Sequence, residues 1–152
     1  MPVNVAYAGR EYPPTPEYEV GREKLREFAE AVGATHASYL DPAAARALGY
    51  PDVIAPPTFA VVVAQRAEQQ YIADPDAGID FSRVVHADER FTHHRPIHAG
   101  MQLVTVLHVD SIVERAGLAM ITTRAEIATD DGVAVATVVS TLAVRGEDGA
   151  SA

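Results

Sequence analysis

An α+β domain, with an antiparallel sheet wrapped around one buried helix, is the fold class this sequence predicts, on three observations. Helical signals occupy the first half of the chain and strand signals the second, an order that argues against alternating βαβ units. One predicted helix opens with Thr58-Phe59-Ala60-Val61-Val62-Val63-Ala64, apolar on every side, which asks for burial all round. From about Ser82 onward, β-branched residues and alternation of apolar with polar positions take over.

Taken in order, Pro13, Pro14 and Pro16 mark an extended or turning leading segment, because proline fixes φ and restricts its predecessor. A first helix is predicted over about Val20 to Val32, with Leu25, Phe28, Ala29 and Val32 on one face and Gly33 just past its end. A short second helix runs from about Pro42 to Leu48, capped by Asp41 and stopped at Gly49. Pro57 opens the apolar third helix, which reaches about Ile72 and turns amphipathic in Gln65 to Ile72. The run Val61-Val62-Val63 also suits a buried strand, but the residues that follow and the total length favour a helix.

Among the strands, Leu103, Thr105, Leu107 and Val109 alternate with Val104, Val106, His108 and Asp110. Leu118 to Ala128 and Val133 to Val144 share the β-branched enrichment, with Asp130-Asp131-Gly132 as the hairpin turn between them and Glu114 to Gly117 as a looser one before. One domain spanning residues 1–152 is expected, with a fraying tail over 146–152.

Net charge is −9, and Arg and Lys are scattered, so neither a phosphate backbone nor an anionic membrane surface suits this chain. There is no cysteine, which removes disulfides, thiolate metal sites and a thiol nucleophile. The opening Met1 to Pro14 has neither a basic stretch nor an apolar one, and the run Phe59 to Ala64 is far shorter than the roughly 20 residues of a membrane span. A cytoplasmic protein is expected.

The segment Phe28 to Asp41, FAEAVGATHASYLD, resembles the active-site segment of MaoC-like, R-specific enoyl thioester hydratases, Phe-Ala-x-x-x-Gly-Asp-x-Asn-Pro-x-His-x-Asp. Arg95-Pro96-Ile97-His98-Ala99-Gly100 is similar to the family's Arg-Pro-Val-x-x-Gly turn, while Tyr18 to Ala29 and Ile54-Ala55-Pro56-Pro57-Thr58-Phe59 resemble its FAS1-like dehydratase N-terminal domain type. Gly100 should take a positive φ there. The resemblance implies the hot dog fold and, in the family, an Asp and a His that hold a water between them and move its protons. Here the Asp position is Ala34 and the His position is Tyr39. Alanine has no proton to give, and a phenol with an ordinary pKa of about 10 is a poor base at neutral pH.

The non-catalytic partners of heteromeric (3R)-hydroxyacyl-ACP dehydratases, the FAS1-like dehydratase N-terminal domain type, resemble this chain in lacking that pair. The resemblance therefore implies a degenerate subunit that binds an acyl-ACP or acyl-CoA thioester and needs a catalytic MaoC-like partner. Tyr39, Ile54, Pro57, Thr58 and Phe59 are the implied substrate-binding residues, with no cofactor and no metal. Pro57 has no N–H to offer a thioester carbonyl, which leaves the amides of Thr58 and Phe59; Pro57 is also simply a good first-turn residue.

Two other readings stay open. One is an autonomous hydratase, dehydratase or thioesterase with relocated residues. His36, inside the same turn, and His86, on a predicted strand, are its candidates; a solvent-facing loop histidine and a packed strand histidine are the alternatives. The other is a homodimeric acyl-ligand-binding protein. His93 and His94 alternate faces on a strand and do not suit one metal, and His98 lies in a turn.

Overall fold

The computed structural model describes residues 2–147, so most of the expected fraying tail, from residue 148 on, lies outside the described residues. Five strands form one antiparallel sheet: β1 (Tyr18–Glu19), β2 (Val84–His93), β3 (Gln102–Arg115), β4 (Leu118–Thr129) and β5 (Ala134–Arg145). They lie side by side in the order β1-β3-β4-β5-β2. Three helices precede β2: α1 (Arg22–Ala31), α2 (Pro42–Ala47) and α3 (Ala60–Ile72). Helix α3 packs on β3, β4 and β5, so the sheet does wrap around the apolar helix as the sequence predicts. No helix among the described residues is long and apolar enough to cross a membrane.

Alternation of side chains fixes which face of the sheet meets α3. Leu103, Thr105, Leu107 and Val109 of β3 are all buried, as their spacing predicts. Ile121, Ala125 and Ile127 of β4 and Val138 and Leu142 of β5 continue that face. The turn through Asp130 to Gly132 is present, with Gly132 at φ 89°. The other hairpin is tighter than expected: β3 runs on to Arg115, and Ala116 and Gly117 alone make the turn, at φ 53° and 77°. Two consecutive positive φ values match the twist of the flanking strands.

Helix α1 is shorter than its pattern. Val20 lies outside it, buried, with its N–H donated to the Met101 carbonyl. Val32 caps the other end and is 52% exposed, so only Leu25 and Ala29 of the predicted face are fully buried. Gly33 takes φ 71° and Gly49 φ 93°, closing α1 and the α2 segment. The Asp41 side chain accepts from the Ala43 N–H at 2.9 Å, the expected cap of α2.

The two borders of the sheet differ. Beyond β3, the segment Gly9 to Thr15 lies alongside: Tyr12 N–H donates to the Leu107 carbonyl, and Thr15 N–H to the Thr105 carbonyl, each at 2.9 Å. At the far end Tyr12 Oη donates to Asp74 at 2.9 Å, tying this segment to the end of α3. The opposite border is the whole of β2, which pairs only with β5 and carries no strand on its other side among the described residues.

Candidate functional site

The turn after α1 is built from its own polar groups. Residues Ala37–Tyr39 form one turn of 3-10 helix, capped by His36. His36 Nδ1 accepts from the Ser38 N–H at 3.2 Å and lies 2.7 Å from Ser38 Oγ. With Nδ1 an acceptor, the imidazole proton sits on Nε2, on an exposed ring. Ser38 is buried, and its carbonyl accepts from the Ile54 N–H at 3.0 Å, which pins the turn to the loop leading into α3. Sequence reading missed Ser38; its signal is the serine two residues after a histidine at a helix start.

At the two positions where the resemblance puts the acid/base pair stand Ala34 and Tyr39, both half-buried. The Tyr39 ring lies edge-on to His36, with centroids 6.1 Å apart. Asp41, the nearest carboxylate in sequence, is engaged at the α2 cap rather than on an imidazole. Asp52 anchors the following loop: Arg22 Nη2 donates to it at 2.7 Å, and the guanidinium holds its carboxyl well below the usual range, at about 2.

The start of α3 differs from the sequence expectation. Residues Pro57–Phe59 form a turn, and the helix begins at Ala60 rather than Pro57. The Phe59 N–H donates to the Pro56 carbonyl at 3.0 Å, so it is not free for a ligand. Pro57, with its φ fixed and no N–H to donate, sits inside the turn that this i to i+3 bond closes before regular helix starts. In this turn the amides of Thr58 and Ala60 have no hydrogen bond among the described residues. The Phe59 side chain is fully buried, edge-on to Phe28 at 5.4 Å, and thus a core anchor. Thr58 and Pro57 are exposed, and Ile54 is half-buried and bridged to His98.

A cleft of about 310 Å³ opens beside this turn, between Pro56 and Pro57 on one wall and His93, His94 and Arg95 on the other. A larger cavity, about 630 Å³, lies at the opposite end of α3, around Asp74, Arg83 and Arg145. His94 Nε2 is 3.1 Å from Thr137 Oγ1, and His93 stacks on Phe91. No group of three or more metal-ligating side chains is gathered among the described residues.

A second polar group lies under the sheet near the open border. Glu68 of α3 is only 2% exposed, although the sequence pattern puts it on the emerging half of the helix. Thr123 Oγ1 donates to its Oε1 at 2.9 Å, and His86 Nε2 lies 3.6 Å from its Oε2. Ser140 Oγ donates to Glu89 Oε2 at 2.8 Å, while Glu89 Oε1 is buried without a partner. Burial pushes the Glu68 carboxyl up; the Thr123 hydroxyl and His86 pull it down, and the Glu89 carboxylate adds to the rise. Strand register explains the cluster, since Thr123 pairs with Ser140 and Ser140 with Glu89 in one row across three strands. No sequence window contains that row.

Residues 6–138 match the model of the FAS1-like, dehydratase domain region. A UPF0336 protein of Saccharopolyspora erythraea is 57% identical over 146 residues, 96% of this chain and 94% of that protein. In structure, the chain is similar to a subunit of the C-terminally truncated HadBC (3R-hydroxyacyl-ACP dehydratase) complex of Mycobacterium tuberculosis. The TM-score is 0.81 at 34% identity, covering 90% of this chain and 96% of that one. A MaoC-like dehydratase gives a TM-score of 0.84 at 35% identity, over 94% of this chain and 43% of the other. The fold is therefore a dehydratase-type hot dog domain related to the HadBC subunits, and the chain belongs to the FAS1-like dehydratase domain-region family.

Proposed function

We propose that this chain is the acyl-thioester-binding, catalytically degenerate subunit of a (3R)-hydroxyacyl-ACP or -CoA dehydratase of fatty-acid elongation type, acting in the cytoplasm with an Asp/His-bearing hot dog partner. One observation carries the reading. The turn that would hold the acid/base pair has Ala34 and Tyr39 at its two positions, and its imidazole and carboxylate are tied to backbone: His36 on Ser38 and Asp41 on Ala43. Neither is left to take a proton from water or from carbon 2 of an acyl chain. The free amides of Thr58 and Ala60, at the positive end of α3, supply hydrogen-bond donors for a thioester carbonyl, and the adjoining cleft gives it access. Similarity to a chain of the HadBC complex supports the need for a second subunit.

The purified chain alone should hydrate crotonyl-CoA at no more than the background rate. Adding a hot dog subunit that keeps the Asp-x-Asn-Pro-x-His segment should yield turnover. Ordinary enzymatic turnover by the isolated chain would overturn the reading.

One observation favours a second reading, an autonomous enzyme with relocated residues: Glu68 and His86 form a carboxylate–imidazole pair, 3.6 Å apart. In that case His86→Ala would abolish turnover by the isolated chain.

A further inference from the structure

A hydrogen-bonded chain crosses the outward face of the sheet and ends on the wall of the cleft beside Pro57. Ala136 and Val138 of β5 are buried toward α3, so Thr137 between them faces outward, in register with Glu126 of β4. Thr137 Oγ1 donates to Glu126 Oε2 at 2.6 Å, and His94 Nε2 lies 3.1 Å from the same hydroxyl. Glu126 Oε1 accepts from Arg124 Nη1 at 2.8 Å, and Arg124 Nε donates to Asp110 at 3.1 Å. Burial pushes the Glu126 carboxyl up, but Thr137 and Arg124 outweigh it and hold the group below its ordinary value.

These partners fix the direction of every bond. A guanidinium only donates and an ionised carboxylate only accepts, so the single Thr137 proton goes to Glu126. The Thr137 oxygen is then the acceptor for His94, whose ring proton sits on Nε2. His94 Nδ1 is left a bare lone pair, without a partner among the described residues, on a side chain that lines the cleft. Arg95, next to it on the same wall, donates its backbone N–H to the Val135 carbonyl, and its guanidinium has no partner among the described residues. One acceptor and one donor thus stand side by side. At the same end of α3, Val61 and Val62 are half-buried. The enclosure that their apolar run predicts is therefore incomplete, and apolar surface is left for an acyl chain.

We infer that His94 and Arg95 form a subsite for a secondary amide, its N–H donated to His94 Nδ1 and its carbonyl accepting from Arg95. Glu126, acting through Thr137, is the positioning residue that keeps His94 an acceptor. A phosphate is the poorer occupant, because it would face the lone pair of Nδ1 with Arg95 alone to attract it. This inference rests on the thioester-binding reading above and names a group of the ligand. The pantetheine arm common to acyl-ACP and acyl-CoA carries such an amide close behind its sulfur.

The test compares two thioesters of one acyl group, S-ethyl thiocrotonate and crotonyl-N-acetylcysteamine, which differ by an amide. Titrated into the full chain and followed by NMR, the amide-bearing one should bind about tenfold tighter, the net worth of two hydrogen bonds. The nitrogen shifts of the His94 ring should place its proton on Nε2. Glu126→Gln reverses the chain: Arg124 holds the amide oxygen, the amide NH2 turns to Thr137, and the hydroxyl donates to His94 Nε2, which moves the ring proton to Nδ1. That variant should bind the two thioesters equally. So should His94→Ala, a change at an exposed position that serves should Glu126→Gln fail to fold. A wild-type ring proton on Nδ1, or a Glu126→Gln chain that keeps both the Nε2 proton and the preference, would overturn the inference. Equal binding of the two thioesters by the wild type would overturn it and leave the proposed function standing, whereas binding of neither would overturn both. Crotonyl-CoA and crotonyl-ACP should each lose affinity in His94→Ala. The larger loss identifies the carrier, and no loss in either counts against the subsite.

Discussion

The turn at Ala34 to Asp41 and the cluster at Glu68, His86 and Glu89 both bring carboxyl and imidazole groups into a small volume, and they dispose of them in opposite ways. In the turn, the imidazole and the carboxylate each meet a local backbone amide: His36 meets Ser38, and Asp41 meets Ala43. Those pairings span two residues and serve the path of the chain. In the cluster, the partners come from α3, β2, β4 and β5, up to 55 residues apart, and one oxygen stays unbonded under the sheet. A polar group that caps a turn is replaceable at modest cost. A buried carboxylate without full solvation destabilises the fold unless something answers its charge. In the region that resembles an active site the imidazole and the carboxylate thus hold the path of the chain, while the carboxylate oxygen without a partner lies near the border.

The sharpest way to break that comparison is Thr123→Val, which removes the hydroxyl bonded to Glu68. We expect a loss of about 2 kcal/mol in urea unfolding near neutral pH, the range for a hydrogen bond to a charged group. The loss should shrink in acid. The folded-state pKa of Glu68 is above its ordinary 4.5, so the ionised group costs stability at pH above that value, and the cost vanishes as the pH falls below 4.5. A loss that does not vary with pH would mean that Glu68 is neutral throughout.

Asp41→Ala should cost about 1 kcal/mol by loss of the α2 cap, and thermal melts of the two proteins check it. Asp52→Asn should cost about 1 kcal/mol or less, since its arginine partners are solvent-exposed. Its sign with pH is opposite to that of Glu68. The folded pKa is depressed from 3.8 to about 2, so the stabilisation is present above 3.8 and is lost as the pH falls toward 2. Acid unfolding of wild type and variant should converge there. The smallest effect is expected of His36→Ala, about 0.5 kcal/mol from one turn-capping bond. Hydration by the reconstituted complex should be unchanged, and a large drop in rate would return His36 to the list of catalytic candidates.

What the sequence made legible was local. The alternation through Leu103 to Val109, the cap at Asp41 and the positive φ at Gly100, observed at 94°, each depend on a few neighbouring residues. Ala34 and Tyr39 were readable as departures from a motif for the same reason. The start of α3 was misread because Pro57 favours either a first helical residue or a turn, and the Phe59 bond to Pro56 decides between them. Val61 and Val62 read as enclosed because an apolar run does not say which neighbour covers it. Glu68 read as surface, since Gln65, Arg66, Gln69 and Gln70 surround it in sequence; its burial depends on Thr123 and on the edge strand.

The leading segment along β3 has a consequence for how far such chains can grow. Because Gly9 to Thr15 blankets one margin, β2 is the border left without a strand alongside it among the described residues. Polymerisation through a sheet needs two open borders per molecule, and one is covered here. Long exposed strands ordinarily invite fibres; here the proline-rich strip guards against them from the far side of the molecule.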